Sequence, residues 1–147
     1  MDGRPDERRA GKLAIERREA LLAAGEDFAF ETTLSGNSAL RFMRAARSTS
    51  RKITLVFVRL RSANLSMARV AKRVEEGGHS GPVPALLRRF PNTLTKPPEA
   101  SRLADRSFIL DNSDARRRLL LVREAGRIRF LARDLPAWLT AMLPDLG

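Results

Sequence analysis

The chain has 147 residues, 43% hydrophobic and 31% charged, which is the balance of one globular domain able to bury a single core. It has no cysteine and a lone histidine, His79, which excludes disulfides and thiol catalysis and argues against a cysteine or histidine metal site. The net charge is +11, and nearly all the basic residues are arginine, whose planar fork suits phosphate as well as plain solvation of a surface.

Residues 5 to 24 read as a helix, with Leu13, Arg17, Ala20, Leu21 and Ala24 at helical spacing and Gly25 in the place of a C-cap. The short apolar run Phe28 to Phe30 turns polar at Glu31, Thr32 and Thr33, as a strand does when it delivers an acid and two hydroxyls into a loop. Ser35 is the expected N-cap of a helix over 37 to 48, with Leu40, Met43 and Ala46 or Arg47 on its seam, broken by Ser48-Thr-Ser50. Ile53 to Leu60 is apolar on both faces for most of its length, the pattern of an interior strand covered by helices on both sides.

Ser62 then caps an expected helix over 63 to 76, stopped by Gly77-Gly78. Five prolines break the chain from His79 to Pro98, leaving a helical turn or two at Ala85 to Phe90 and a new short segment beginning at Pro97-Pro98. Phe108 to Leu110 is a further strand, ending in the polar tip Asp111-Asn112-Ser113. Arg118 to Val122 and Ile128 to Leu131 form a hairpin around Ala125-Gly126, and Leu135 to Leu143 closes the chain as a helix with Trp138 as a core anchor. This order is α/β, and parallel strands joined by right-handed crossovers are its natural solution.

In such a sheet the carboxyl ends of the strands carry the ligand site. The tips Glu31-Thr32-Thr33, Arg59 to Ser62 and Asp111-Asn112-Ser113 are therefore expected to converge. Glu31 reads equally as a carboxylate for substrate hydroxyls and as a cap for the next helix. Arg73, His79, Arg88 and Arg89 surround a glycine pair and a proline-rich loop. Guanidinium groups there suit the charge of a transferred phosphoryl group, or simply a solvated surface.

The ordered stretches Phe28-Ala-Phe-Glu-Thr-Thr-Leu-Ser-Gly36, Arg69-Val-Ala-Lys-Arg-Val-Glu-Glu-Gly-Gly-His79, Leu86-Leu-Arg-Arg-Phe90 and Asp111-Asn-Ser113 resemble the motifs of the zeta toxin-like P-loop kinases. The resemblance runs over most of the chain as one domain, 1–147. It implies a P-loop kinase-like, mainly parallel sheet flanked by helices, with a C-terminal hairpin and a short closing helix. It further implies ATP and Mg²⁺ as cofactors and a small-molecule acceptor such as a UDP-N-acetyl sugar. By that resemblance Glu31 and Thr32 line the substrate side. Arg73, Arg88 and Arg89 act on the phosphates, Arg69 and His79 belong to the same lid, and Asp111 and Asn112 lie near the nucleotide base. No metal-ligating side chain is assigned.

Two departures qualify these expectations. Gly81 and Pro84 stand where the family usually has an aliphatic residue and an acid. No Gly-x-x-x-x-Gly-Lys-Ser/Thr occurs in the chain, and Gly11-Lys12 sits inside a helical pattern. The family's P-loop, its strand and the acidic base are expected before Asp6, in a missing piece of roughly 30 to 40 residues, the size of a strand–loop–helix unit. The chain as it stands is therefore expected not to transfer phosphoryl groups, and to self-associate through unpaired strand edges.

Two other readings remain beside that of a kinase lacking its N-terminal part. One is a catalytically dead remnant that binds a nucleotide, an antitoxin-like protein or another chain. The other is a basic nucleic-acid-binding module, against which stand the absence of tyrosine and the placing of most phenylalanines in strand-like runs. The chain contains no apolar run of membrane-spanning length, and its charged start, Met1 to Arg9, is unlike a signal peptide. The cytoplasm is the expected compartment.

Overall fold

A computed structural model describes residues 4–34, 36–60, 72 and 96–146. The chain divides into two compact units, Met1–Thr32 and Thr33–Gly147.

The first unit is built on helix α1, Arg4–Ala23. Gly25, at φ 72°, ends it: its N–H reaches Leu22 O and that of Glu26 reaches Leu21 O, the paired bonds of a Schellman cap. The expected seam is shifted, because Leu13 is 55% exposed while Ile15, Arg18, Leu21 and Leu22 are half-buried. Phe28 to Glu31 is not a strand. It joins no ladder with the strands of the sheet. Instead Phe28 and Phe30 stack at 6.5 Å, and the Arg18 guanidinium lies 4.8 Å from the Phe30 ring centre. A two-phenylalanine run satisfied by its own neighbours has no need of a pleat. Desolvation holds Arg18 below the ordinary arginine pKa, against an opposing contribution from Glu19.

The second unit is α/β. Helix α2 (Ser38–Ser48) precedes strand β1 (Thr54–Arg59). Helix α3 (Pro97–Leu103) leads into β2 (Arg106–Asp111), then β3 (Arg118–Glu124), β4 (Arg127–Leu131) and helix α4 (Ala137–Met142), with a 3-10 turn at Pro144–Leu146. The sheet order is β1-β2-β3-β4. Only β1 and β2 run parallel, and both other pairs are antiparallel. The expectation of a mainly parallel sheet is therefore corrected: among the described residues the sheet is mixed. The tight turn at Ala125-Gly126 accounts for one antiparallel pair, since a two-residue hairpin can join only antiparallel strands.

Ser50 at φ 61° ends α2 by the same paired bonds, from Ser50 N to Arg47 O and from Arg51 N to Ala46 O. Asn37 stands at its N-cap, without a side-chain capping bond, and Ser35 lies outside the described residues. The buried stripe Ala39, Leu40, Phe42, Met43 and Ala46 matches the expected seam. Pro97 and Pro98 open α3, where the missing N–H groups cost nothing.

Two apolar clusters meet at Phe57. Leu34, Leu40, Met43, Ala100 and Ala104 join α2 and α3, while Ile109, Leu120, Leu121, Trp138, Leu139 and Met142 join α4 to the sheet. Phe57, Ile109 and Leu121 are cross-strand partners, so all three helices pack on one face. The opposite face carries Val56, Phe108, Val122 and Phe130 in register, with Val56 60% and Phe130 44% exposed. Among the described residues β1 is thus an edge strand with one exposed face, where its composition suggested an interior strand. An unbroken apolar run reads the same whether one face is covered or two.

Asp105 fixes the start of the parallel pair. Its Oδ2 accepts the Ile53 N–H at 2.8 Å, its own N–H donates to Ile53 O, and its carbonyl accepts the Ala125 N–H. Across the sheet the Arg106 guanidinium donates to Glu124 Oε1, with Nε at 3.1 Å, and Arg129 Nε lies 3.7 Å from the other carboxylate oxygen. The hydrogen bond from Arg106, reinforced by its charge, holds Glu124 below the usual carboxylate pKa. A depressed pKa supports the fold above the unfolded-state value and loses that support as pH falls through the folded-state value. Thermal melts across pH are expected to show Glu124→Gln less stable than the parent at neutrality, with the gap closing on acidification. The effect is small, because the pair is solvent-screened.

Candidate functional site

The parallel pairing of β1 and β2 places two of the expected tips together. Arg59 is the cross-strand partner of Asp111, and the Asn112 N–H donates to Arg59 O at 2.9 Å, extending the ladder by one bond. Both side chains are buried, Arg59 at 7% and Asp111 at 9% exposure. Asp111 Oδ1 accepts the Ser113 N–H at 2.8 Å and also the Ser113 hydroxyl, which turns the chain sharply after β2. The Arg59 guanidinium lies 5.8 Å from the Trp138 ring centre, and desolvation holds its pKa below the ordinary arginine value. The carboxyl edge of the parallel pair is therefore a buried cation, a carboxylate engaged by its own turn, and an exposed loop beyond.

A second polar feature opens between α2 and α3. Asn37, Leu40, Arg41, Arg44 and Glu99 line a shallow groove. Arg44 is ion-paired with Glu99, and Arg47 Nη1 donates to Leu103 O at 3.0 Å, so these arginines bind the two helices together. Arg41 is exposed in the groove. The arginines at 41, 44 and 47, three apart on one helix face, were the sequence signal for it.

Glu31 and Thr32 belong to the first unit and are exposed, in a segment without regular structure. They are not the tip of a strand. Asp111 and Asn112 are brought beside Arg59. Arg69, Arg73, His79, Arg88 and Arg89 lie outside the described residues, as do the turn at Ala85 to Phe90 and, apart from the helical Lys72, the expected helix over 63 to 76. Leu34 went unnoticed in the sequence. It is buried with φ 53°, a conformation costly for a branched side chain, and its place in the α2–α3 cluster holds it there.

Among the described residues no group of three or more acidic or histidine side chains is placed to hold a metal ion. Asp111, the carboxylate that ends β2, is engaged by Ser113. No helix among them is long and apolar enough to cross a membrane.

The chain is similar to an uncharacterized protein of Haemophilus influenzae, 31% identical over 70 residues that make up 48% of this chain and 50% of the relative. The chain thus spans about half the length of the curated relative it matches. No family model and no solved structure matches it.

Proposed function

We propose that the chain is a zeta toxin-like nucleotide-binding domain that takes ATP or a sugar nucleotide at the carboxyl edge of β1 and β2 and does not itself transfer a phosphoryl group. The observation that carries this reading is the pairing of Arg59 with Asp111 at the ends of two parallel strands, the edge at which open α/β sheets bind ligands. The arginines at 69, 73, 88 and 89 with His79 lie in sequence between Arg59 and Lys96. The ordered motifs described above support the same assignment. In this reading Arg73, Arg88 and Arg89 are the residues that serve the phosphates.

Inactivity follows from what transfer requires. Residues 1–147 contain no Gly-x-x-x-x-Gly-Lys-Ser/Thr, the pattern whose backbone N–H groups cradle phosphates, whose lysine meets them and whose hydroxyl holds Mg²⁺.

Calorimetric titration with Mg-ATP and with UDP-N-acetylglucosamine tests the binding. Arg73→Ala is expected to weaken it about tenfold or more, the loss of one charge-assisted hydrogen bond at ~1.5–3 kcal/mol. Incubation with γ-labelled ATP and the sugar nucleotide is expected to give no labelled sugar. Absence of binding to either ligand would remove the nucleotide assignment. Labelled product that disappears in Arg73→Ala would overturn the inactivity instead.

A further inference from the structure

The sheet ends in two strands that are built differently. At one end β4 carries Arg127 and Arg129, and its register against β3 shifts between Val122 and Arg123. Charge and a register irregularity are both devices that keep a further strand away. At the other end β1 has neither. From Thr54 to Val58 it is uncharged, free of proline and glycine, and continuous in register with β2. Val56 and Val58, 60% and 44% exposed, stand on the face away from the helices. Among the described residues no strand lies beyond it.

We propose that this edge pairs with itself: two copies of the chain join through antiparallel β1 strands into one continuous sheet twice as wide. Charge complementarity selects this occupant. Thr54–Val58 itself carries no cation: Arg51 and the exposed Lys52 stand before the strand, Lys52 Nζ 3.7 Å from Asp105, and Arg59 is buried on the opposite face. An acidic peptide or a nucleic acid therefore finds no cation along the edge. An uncharged strand rich in β-branched residues finds its match, and β1 is such a strand. A two-fold axis at Val56 sets Val56 against its copy and Thr54 against Val58, which keeps the exposed apolar side chains of both copies on one face. The +11 charge opposes association only over the screening length, about 8 Å at physiological salt. This pairing is independent of the nucleotide reading.

Sedimentation of the full chain over about a hundredfold range of concentration reads it directly. The expected result is a species of twice 16.4 kDa that forms as concentration rises, with exchange slowed in that species alone at Thr54, Val56 and Val58, whose amides face away from β2. Val56→Lys is expected to weaken the dimer by about tenfold or more while leaving the circular dichroism spectrum unchanged. Val58→Lys gives the same reading from a second position should the first variant fail to fold, and Phe130→Lys, on the other edge strand, leaves the dimer intact. A chain that stays monomeric throughout overturns the proposal, as does a dimer that survives both lysine variants. A monomer in which the Thr54, Val56 and Val58 amides are already slowed overturns it too, and assigns the edge to a strand of the same chain.

Discussion

Trp138→Ala is expected to destabilise the chain by about 3–5 kcal/mol, a large part of the ~5–15 kcal/mol that holds an ordinary domain together. Trp138 is buried at 8% exposure in the cluster that joins α4 to the sheet, together with Leu139 and Ile109, both essentially inaccessible. Its ring meets Phe57 edge to face at 6.2 Å, and Phe57 also packs on the α2–α3 cluster. Truncating it leaves a cavity at the junction of both clusters and removes the ring over which the Arg59 guanidinium lies. The indole Nε1 has no hydrogen-bond partner among the described residues, so Trp138→Phe forfeits contact area and part of the cation–π attraction but no hydrogen bond. Its cost is expected below about 1.5 kcal/mol. Urea titration followed by circular dichroism orders the two variants. Equal costs would mean that the ring's volume does not matter at that junction.

The elements most legible in the sequence were those whose signal is local. Gly25, Pro97-Pro98 and Ala125-Gly126 mark boundaries through backbone chemistry that tertiary packing cannot override, and each boundary lies where the sequence put it. Trp138, with apolar neighbours at helical spacing, was readable as a core anchor for the same reason. What failed depended on partners. Phe28 to Phe30 has strand composition, but a strand exists only where a neighbour completes its ladder. Ile53 to Leu60 was correctly a strand, yet its composition could not say how many of its faces are covered or on which side it is paired. The mixed direction of the sheet follows from the hairpin, whose turn was visible. The burial of Arg59 was not, since nothing local separates a buried guanidinium from the many exposed ones. Of the expected site residues, Asp111 and Asn112 were placed by a strand end, and Glu31 and Thr32 by a strand that does not form.

Asp111→Ala is expected to cost about 1–3 kcal/mol, because the Ser113 N–H loses its acceptor in a buried turn. Asp111→Asn keeps an oxygen in the position of Oδ1 and is expected to recover most of that loss. The comparison separates two roles for the same carboxylate. If its work is to shape the turn, the asparagine variant melts close to the parent. If its negative charge is what sustains the buried Arg59 on the adjacent strand, asparagine costs as much as alanine, since both remove the charge and leave a desolvated cation. The turn bears on function through Asn112, whose N–H ties the loop to Arg59 O at the edge proposed for the nucleotide. A well-folded Asp111→Asn chain is therefore the appropriate one for ligand titration. Weaker nucleotide binding in a variant with an unchanged melt would place the carboxylate's charge in recognition, whereas unchanged binding would confine Asp111 to holding the loop in position.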